Sequence, residues 1–385
     1  VKFDEMTAFF NTLPEHSVLI LRHSLLLNLA VGLLLSLLLV GVYAFLPIFD
    51  LPERLLPEVR SYYLLQLASF MVFMATGALK QFFDGIGRTI VPMWAILLSN
   101  VLNVLGNYLL IFGALGCPEL GLFGAGLSTL FARIFALGVL LVALRYSRTL
   151  GVTYRYVREL RLHAAFLRRL FRLGFPIGVQ MGVEAAAWTV AILLVTPLGV
   201  NALAVHQNLI TLTLLGYFIY YGLGAATTIL VSRAYGEGDV ARARGVVHVA
   251  LLLAELVALL VMSGLLLGRH WLGYIFSDDP AVVTMTALAV IPMALYQPGD
   301  ALQVIYGNAL RGIEDVKRMT YYACGIHLVL APLLSYAFGF HLGLTEPGAR
   351  LTAIWSSFPV SLLLLGILLA IRFRWVTQRM VRQSA

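Results

Sequence analysis

The chain has 385 residues, 60 % of them hydrophobic and only 12 % charged, with a mean hydropathy of +0.89. A soluble domain carries roughly a quarter charged residues, so a soluble enzyme, a disordered chain and a collagen-like chain are all excluded. The net charge of +8 is spread over many loops instead of one face, which argues against nucleic acid as a partner and for a lipid bilayer.

A helix needs roughly 20 apolar residues to cross a hydrocarbon core about 30 Å thick. Such runs occur at 25–46, 59–79, 91–112, 120–144, 177–197, 202–231, 246–267, 281–310, 319–340 and 351–371. They are continuous and Leu-rich, without the alternation of an outer-membrane barrel strand. The fold class predicted is an all-α integral membrane protein with about ten transmembrane helices.

Lys and Arg set the orientation, because basic loops stay cytoplasmic. The segment 147–172 holds Arg148, Arg155, Arg158, Arg161, Arg168, Arg169 and Arg172 against the single acid Glu159, which places it inside. Alternating sides from there puts every basic residue on the inner face except Arg54, Arg60, Arg269 and Arg350, with Arg133 inside a span. Both termini are then cytoplasmic. Cys117 and Cys324 fall at opposite faces, so no disulfide is expected.

An internal repeat organises the chain. A shift of 227 positions pairs Ile48-Phe49 with Ile275-Phe276, Gly85-Ile86 with Gly312-Ile313, Gly121 with Gly348 and Arg145 with Arg372. The same shift superposes four spans without a gap, as in transporters built from duplicated bundles. The expected organisation is an N-terminal lobe at 1–146 with four spans, a basic cytoplasmic linker at 147–172, and a C-terminal lobe at 173–385 with six. The first lobe is thus short by two helices. Residues 1–20 do not supply one, because Lys2, Asp4, Glu5, Glu15 and His16 interrupt any run long enough to cross. With Val at position 1, a fragment is the favoured expectation, and a start at a non-Met codon is the alternative.

Ionisable side chains at mid-membrane cost about 2.5–3.5 kcal/mol on insertion scales, so each needs a partner or a purpose. The acids away from span ends are Glu184, Glu255 and Asp300, and Arg133 is the comparable base. Asp300 follows two prolines in Pro292-Met-Ala-Leu-Tyr-Gln-Pro-Gly-Asp300, a pattern that removes amide donors and predicts a broken helix lining a cavity. Tyr296 stands one turn before Asp300. Glu184 shares a helix face with Gln180, so a carboxylate pair Glu184–Asp300 is predicted to hold a proton, a metal cation or a cationic substrate. Two separately satisfied structural acids, with Asp300 capping a kink, is the other reading.

Further polar residues expected to line the cavity are Asn103, Asn107, Gln297 and Gln303. Asn103 and Asn107 share a face of the third span, and interhelical glue stands as an equal alternative. Glu255 reads as structural or interfacial, Arg133 as paired with a nearby carbonyl or acid, and His206-Gln207 and His327 as core. H-E-x-x-H, G-x-S-x-G, P-loop and clustered Cys/His patterns are missing, so no enzyme and no cofactor is expected, and transport would draw on an ion gradient.

The strings Ala294-Leu-Tyr-Gln-Pro-Gly-Asp300-Ala-Leu-Gln303, Ala309-Leu-Arg-Gly-Ile-Glu-Asp315 and Leu173-Gly-Phe-Pro176-Ile-Gly resemble the NorM-like branch of the multidrug and toxic compound extrusion (MATE) family. So do Ala204-Val-His-Gln207, Gly236-Glu-Gly-Asp239 and Pro118-Glu-Leu-Gly-Leu-Phe-Gly124-Ala-Gly126. The resemblance implies a twelve-helix fold of two six-helix lobes, of which this chain matches the last ten. It implies export of amphipathic cationic small molecules in exchange for Na+ or H+. Glu184, Tyr296 and Asp300 match the second-lobe cation site, where Na+ would bind, and Asn103 and Asn107 match paired polar residues of the first lobe. The family's first-lobe acid lies on a helix that this sequence lacks. A lipid-linked oligosaccharide flippase of the same superfamily, or a truncated protein that does not transport, are the alternative functions.

Overall fold

The computed structural model describes residues 14–45, 56–146 and 163–384. The described regular structure is helical: α1 (Pro14–Ala44), α2 (Leu56–Gly85), α3 (Ile90–Phe112), α4 (Gly121–Tyr146), α5 (Ala164–Val195), α6 (Val200–Gly236), α7 (Val240–Leu272), α8 (Pro280–Leu295) and α9 (Gln297–Gly312). Then come α10 (Val316–Cys324), a π-turn (Gly325–Leu330), α11 (Ala331–His341), α12 (Pro347–Trp355) and α13 (Ser357–Ser384). Among the described residues ten stretches are long and apolar enough to cross a membrane. The eighth joins α8 to α9, the ninth runs from α10 to α11 and the tenth joins α12 to α13. Leu37, Val104, Leu260 and Leu267 are among many large apolar side chains left exposed, as lipid-facing residues are.

Local chemistry sets the helix ends. Gly113, at φ +65°, closes α3 in the left-handed conformation that favours glycine. Asp239 caps α7 by accepting from Arg242 N–H at 2.8 Å, and Asp279 caps α8 through Ala281 N–H at 2.8 Å with Pro280 at the first helical position.

The chain divides into two compact units, residues 1–171 and 172–385. In the first, Leu21, Leu79, Phe82, Phe83, Ala95, Leu140 and Leu144 form the core. Ser99 Oγ donates to the Ala132 carbonyl at 2.8 Å, tying α3 to α4. The helix α5 begins at Ala164, so the last third of the segment read as a linker is helical. Leu167, Leu170 and Phe171 carry the apolar pattern back past the membrane-length run, and residues 147–162 lie outside the described part.

The second unit has two apolar clusters. One gathers Val231, Val247, Ile305, Leu310, Met319 and Phe373, the other Leu209, Val290, Met293, Leu351, Ile354 and Trp355. Its helices approach closely at small residues, the usual packing device where lipid removes any hydrophobic drive. A Cβ on Gly216 would collide with Gln297 and Tyr220, and one on Gly299 would meet the backbone nitrogen of Leu363 at 2.9 Å.

Span eight is kinked rather than unwound, contrary to the broken helix expected from Pro292 and Pro298. Tyr296, at the joint, keeps right-handed helical angles (φ −77°, ψ −18°). Tyr296 N–H still donates to the Pro292 carbonyl at 3.1 Å, and Asp300 N–H to the Tyr296 carbonyl at 2.9 Å. Each proline removes one donor, while Tyr296 and Asp300 keep theirs.

Candidate functional site

The kink sets the first turn of α9 inside the second unit, and Asp300 lies in that turn. Asp300 is 5 % exposed and accepts from Gln303 Nε2 at 3.0 Å. Tyr296, one turn earlier, is also buried. Gln297 is fully buried, its Oε1 accepting from Tyr220 Oη at 2.9 Å, while its Nε2 has no acceptor among the described residues.

Facing this stripe, α5 carries Gln180 and Glu184 one turn apart. Glu184 is half-buried and lies within electrostatic range of both Asp300 and Arg311. Its carboxylate makes no hydrogen bond among the described residues. Gln180 is buried and accepts from Arg311 Nη2 at 2.6 Å through its Oε1. Two acids, one base and a set of amides and phenols therefore converge in a single unit, an arrangement able to hold a cation or a proton.

Arg311 is what the sequence reading missed. By alternation along the sequence it falls among the inner-face basic residues, with Arg133 as the base within a span. The structure places Arg311 in the last turn of α9 with its side chain turned inward to Gln180. The available signal was its spacing: eleven residues after Asp300 is close to three full turns, the same helix face.

In the first unit, Asn103 Nδ2 donates to Ser128 Oγ and Thr129 Oγ1, each at 3.3 Å, and the Asn103 carbonyl accepts from Ser128 Oγ at 2.8 Å. Asn103 is thus bonded across the α3–α4 contact. Asn107 Nδ2 donates to Asn103 Oδ1 at 3.3 Å, and its own Oδ1 is buried without a donor among the described residues. Arg133 donates to Ser69 Oγ and lies 5.3 Å from the Phe73 ring centroid, so it pairs with a hydroxyl and a ring instead of a carbonyl or an acid.

His206 is fully buried beside Trp355, whereas Gln207, grouped with it in the sequence, is exposed. His327 is buried on the π-turn. Pro332, which lacks an N–H, follows that turn in the first turn of α11. Glu255 lies within electrostatic range of Tyr220. No group of three or more His, Cys, Asp or Glu able to hold a metal ion occurs among the described residues.

A family model described as MatE matches residues 14–109 and 176–337, more than half of the chain. The chain belongs to the MATE family. MATE proteins are membrane transporters and not enzymes, and the ten membrane-length helices agree with the fold read from the sequence. The chain is 33 % identical over 293 residues to the probable multidrug resistance protein NorM of Mannheimia succiniciproducens, covering 75 % of this chain and 62 % of that protein. It is 31 % identical over 306 residues to the multidrug resistance protein MdtK of Pectobacterium atrosepticum, covering 77 % and 65 %. The chain therefore spans less than two thirds of the length of these two relatives. The fold matches a solved structure of a multidrug resistance MATE family transporter in its outward-facing conformation, with a TM-score of 0.83 at 19 % identity over 95 % of this chain and 79 % of that one.

Proposed function

We propose that this MATE chain acts as a multidrug efflux antiporter, exporting amphipathic organic cations in exchange for Na+ or H+. The observation that carries the proposal is buried Asp300 in the first turn of α9 together with, on α5, the Glu184 carboxylate, which makes no hydrogen bond among the described residues. Two carboxylates in a low-dielectric site do not both stay ionised cheaply, so the pair takes up a proton, a Na+ ion or a cationic substrate. Tyr296 supplies a hydroxyl beside Asp300, and Gln180, Gln297 and Gln303 complete the polar lining. In the first lobe, Asn103 and Asn107 offer amides to the substrate path.

The lobes are assigned to 1–146 and 173–385 around a basic linker, with both termini cytoplasmic in an inner membrane. One monovalent ion entering down 100 mV supplies about 2.3 kcal/mol, enough for a roughly fifty-fold gradient of a neutral substrate. A flippase for lipid-linked oligosaccharides would need bases free for a pyrophosphate. Arg133 is engaged by Ser69 and Phe73, and Arg311 stands in a unit with two buried or half-buried acids, Asp300 and Glu184, so the cation reading is favoured.

The test is energised ethidium efflux from cells lacking their own pumps. Asp300→Asn and Glu184→Gln should each abolish efflux above background while the protein is present at wild-type level. Wild-type rates in both variants would overturn the coupling assignment.

A further inference from the structure

A guanidinium inside a membrane protein is costly unless a carboxylate touches it. Arg372 shows the usual solution, with Asp315 at 2.6 and 3.2 Å. Arg311 differs. Among the described residues it makes no ion pair within 4.0 Å and is held by neutral amides: Gln180 Oε1 at 2.6 Å and, at the long limit, Asn308 Oδ1 at 3.5 Å. Its Nε is buried with no acceptor. The amides fix its position and leave its charge uncancelled by contact.

Helix geometry orders the three charges. Asp300, Val304, Asn308 and Arg311 follow one another at three- and four-residue steps down a single face of α9. The rise per residue sets Asp300 about 16 Å from Arg311 along the axis. On α5, Gln180 marks the level of Arg311, and Glu184 stands about 6 Å further along. The fifth and eighth spans cross in opposite directions, so from the Gln180–Arg311 contact Glu184 and Asp300 lie toward the same end, with Glu184 nearer to Arg311.

We infer that Arg311 is the resident counter-cation of the Glu184–Asp300 pair: it offsets one carboxylate charge, so the site takes one positive charge at a time and selects against doubly charged ligands. The inference rests on the antiporter reading above, and assigns to Arg311 its charge selectivity. A cation entering the site is attracted by two acids and repelled by one base. Without the base, affinity rises with each unit of charge on the ligand, by about tenfold per unit for charges some 10 Å apart at an effective dielectric of about 20.

Ethidium and propidium share a phenanthridinium core and carry one and two positive charges, respectively. Their binding to the purified full chain in detergent is measured by fluorescence anisotropy, with a Glu184→Gln/Asp300→Asn double variant as the baseline for partition into micelles. Removal of the charge in Arg311→Gln should tighten ethidium by about tenfold and propidium by about a hundredfold. Arg311→Met, neutral and of similar length, should do the same if the glutamine variant fails to fold. Arg311→Lys keeps the charge and should restore the wild-type ratio of the two affinities. Equal shifts for both dyes, or none, would overturn the role of Arg311 while leaving the carboxylate site standing. Wild-type binding no greater than that of the double variant would overturn the antiporter site itself, and this inference with it.

Discussion

Trp355 donates its indole N–H to Nδ1 of His206 at 3.1 Å, across 149 positions of sequence. Both side chains are fully buried, and the bond joins α6 to α12. His206 Nε2 is already buried without a partner among the described residues. Trp355→Phe would leave both ring nitrogens unpaired, at a cost of about 1–3 kcal/mol. Thermal unfolding in detergent should show Trp355→Phe well below wild type. Trp188→Phe serves as the control, because Trp188 packs on Phe358 with ring centroids 5.3 Å apart and makes no hydrogen bond among the described residues. Equal losses in the two variants would mean that ring packing, not the hydrogen bond, dominates.

The ion pair Arg372–Asp315 joins α13 to the turn between α9 and α10, with side chains only 19 % and 17 % exposed. Its two N–H···O contacts need the planar fork of arginine. Arg372→Lys keeps the charge but loses the fork, and should cost about 1 kcal/mol. Asp315→Asn leaves a guanidinium half-enclosed without its counter-charge and should cost more, about 2–3 kcal/mol. The ranking in melting temperature checks the account, and a lysine variant as damaged as the asparagine one would contradict it.

Two glycines on α6 should respond in opposite directions. At Gly216 any Cβ meets Gln297 and Tyr220, so Gly216→Val should destabilise by about 1–3 kcal/mol through overpacking. At Gly222 a Cβ meets nothing within 4 Å, and Gly222→Ala should stabilise by roughly 0.5–1 kcal/mol from helix propensity alone. Chemical or thermal unfolding of the pair measures both signs at once.

The Asn103–Asn107 ladder separates glue from lining. Asn103 bonds across to α4, so Asn103→Leu removes its two amide donations to Ser128 and Thr129, whose hydroxyls keep their own backbone acceptors, and should cost about 1 kcal/mol. Asn107 bonds only along its own helix among the described residues, so Asn107→Leu should leave the melting temperature within a degree or two. A drop in ethidium efflux for Asn107→Leu at unchanged stability would give it a role in the substrate path. Unchanged efflux would make the ladder purely structural.

The spans were legible because the hydrocarbon core is a demanding solvent: a helix that crosses it must be apolar for about 20 residues, and nothing else in the chain sustains such runs. Asp300, Tyr296 and Glu184 were legible for the converse reason, since polar groups in an apolar run are conspicuous. Arg311 was hidden because a base near a span end carries the same sequence signature as an orientation residue. The mild kink at Tyr296 was also hidden, because proline reports which donors are lost and not whether neighbouring turns keep theirs. The roles of Asn103 and Asn107 differ only through Ser128 and Thr129, which lie on another helix.

The sequence alone therefore determined the class of molecule, the number of its membrane-length helices, its family resemblance and the acids worth inspecting. All of these follow from composition, from periodicity along one helix, or from motifs in chain order. Tertiary structure alone decided which polar groups meet: Arg311 with Gln180, Tyr220 with Gln297, Trp355 with His206. Those pairs join different helices, and their geometry depends on how closely small residues such as Gly216 let the backbones approach. No one-dimensional spacing carries that information, because interhelical contact is set by packing between surfaces distant in the chain.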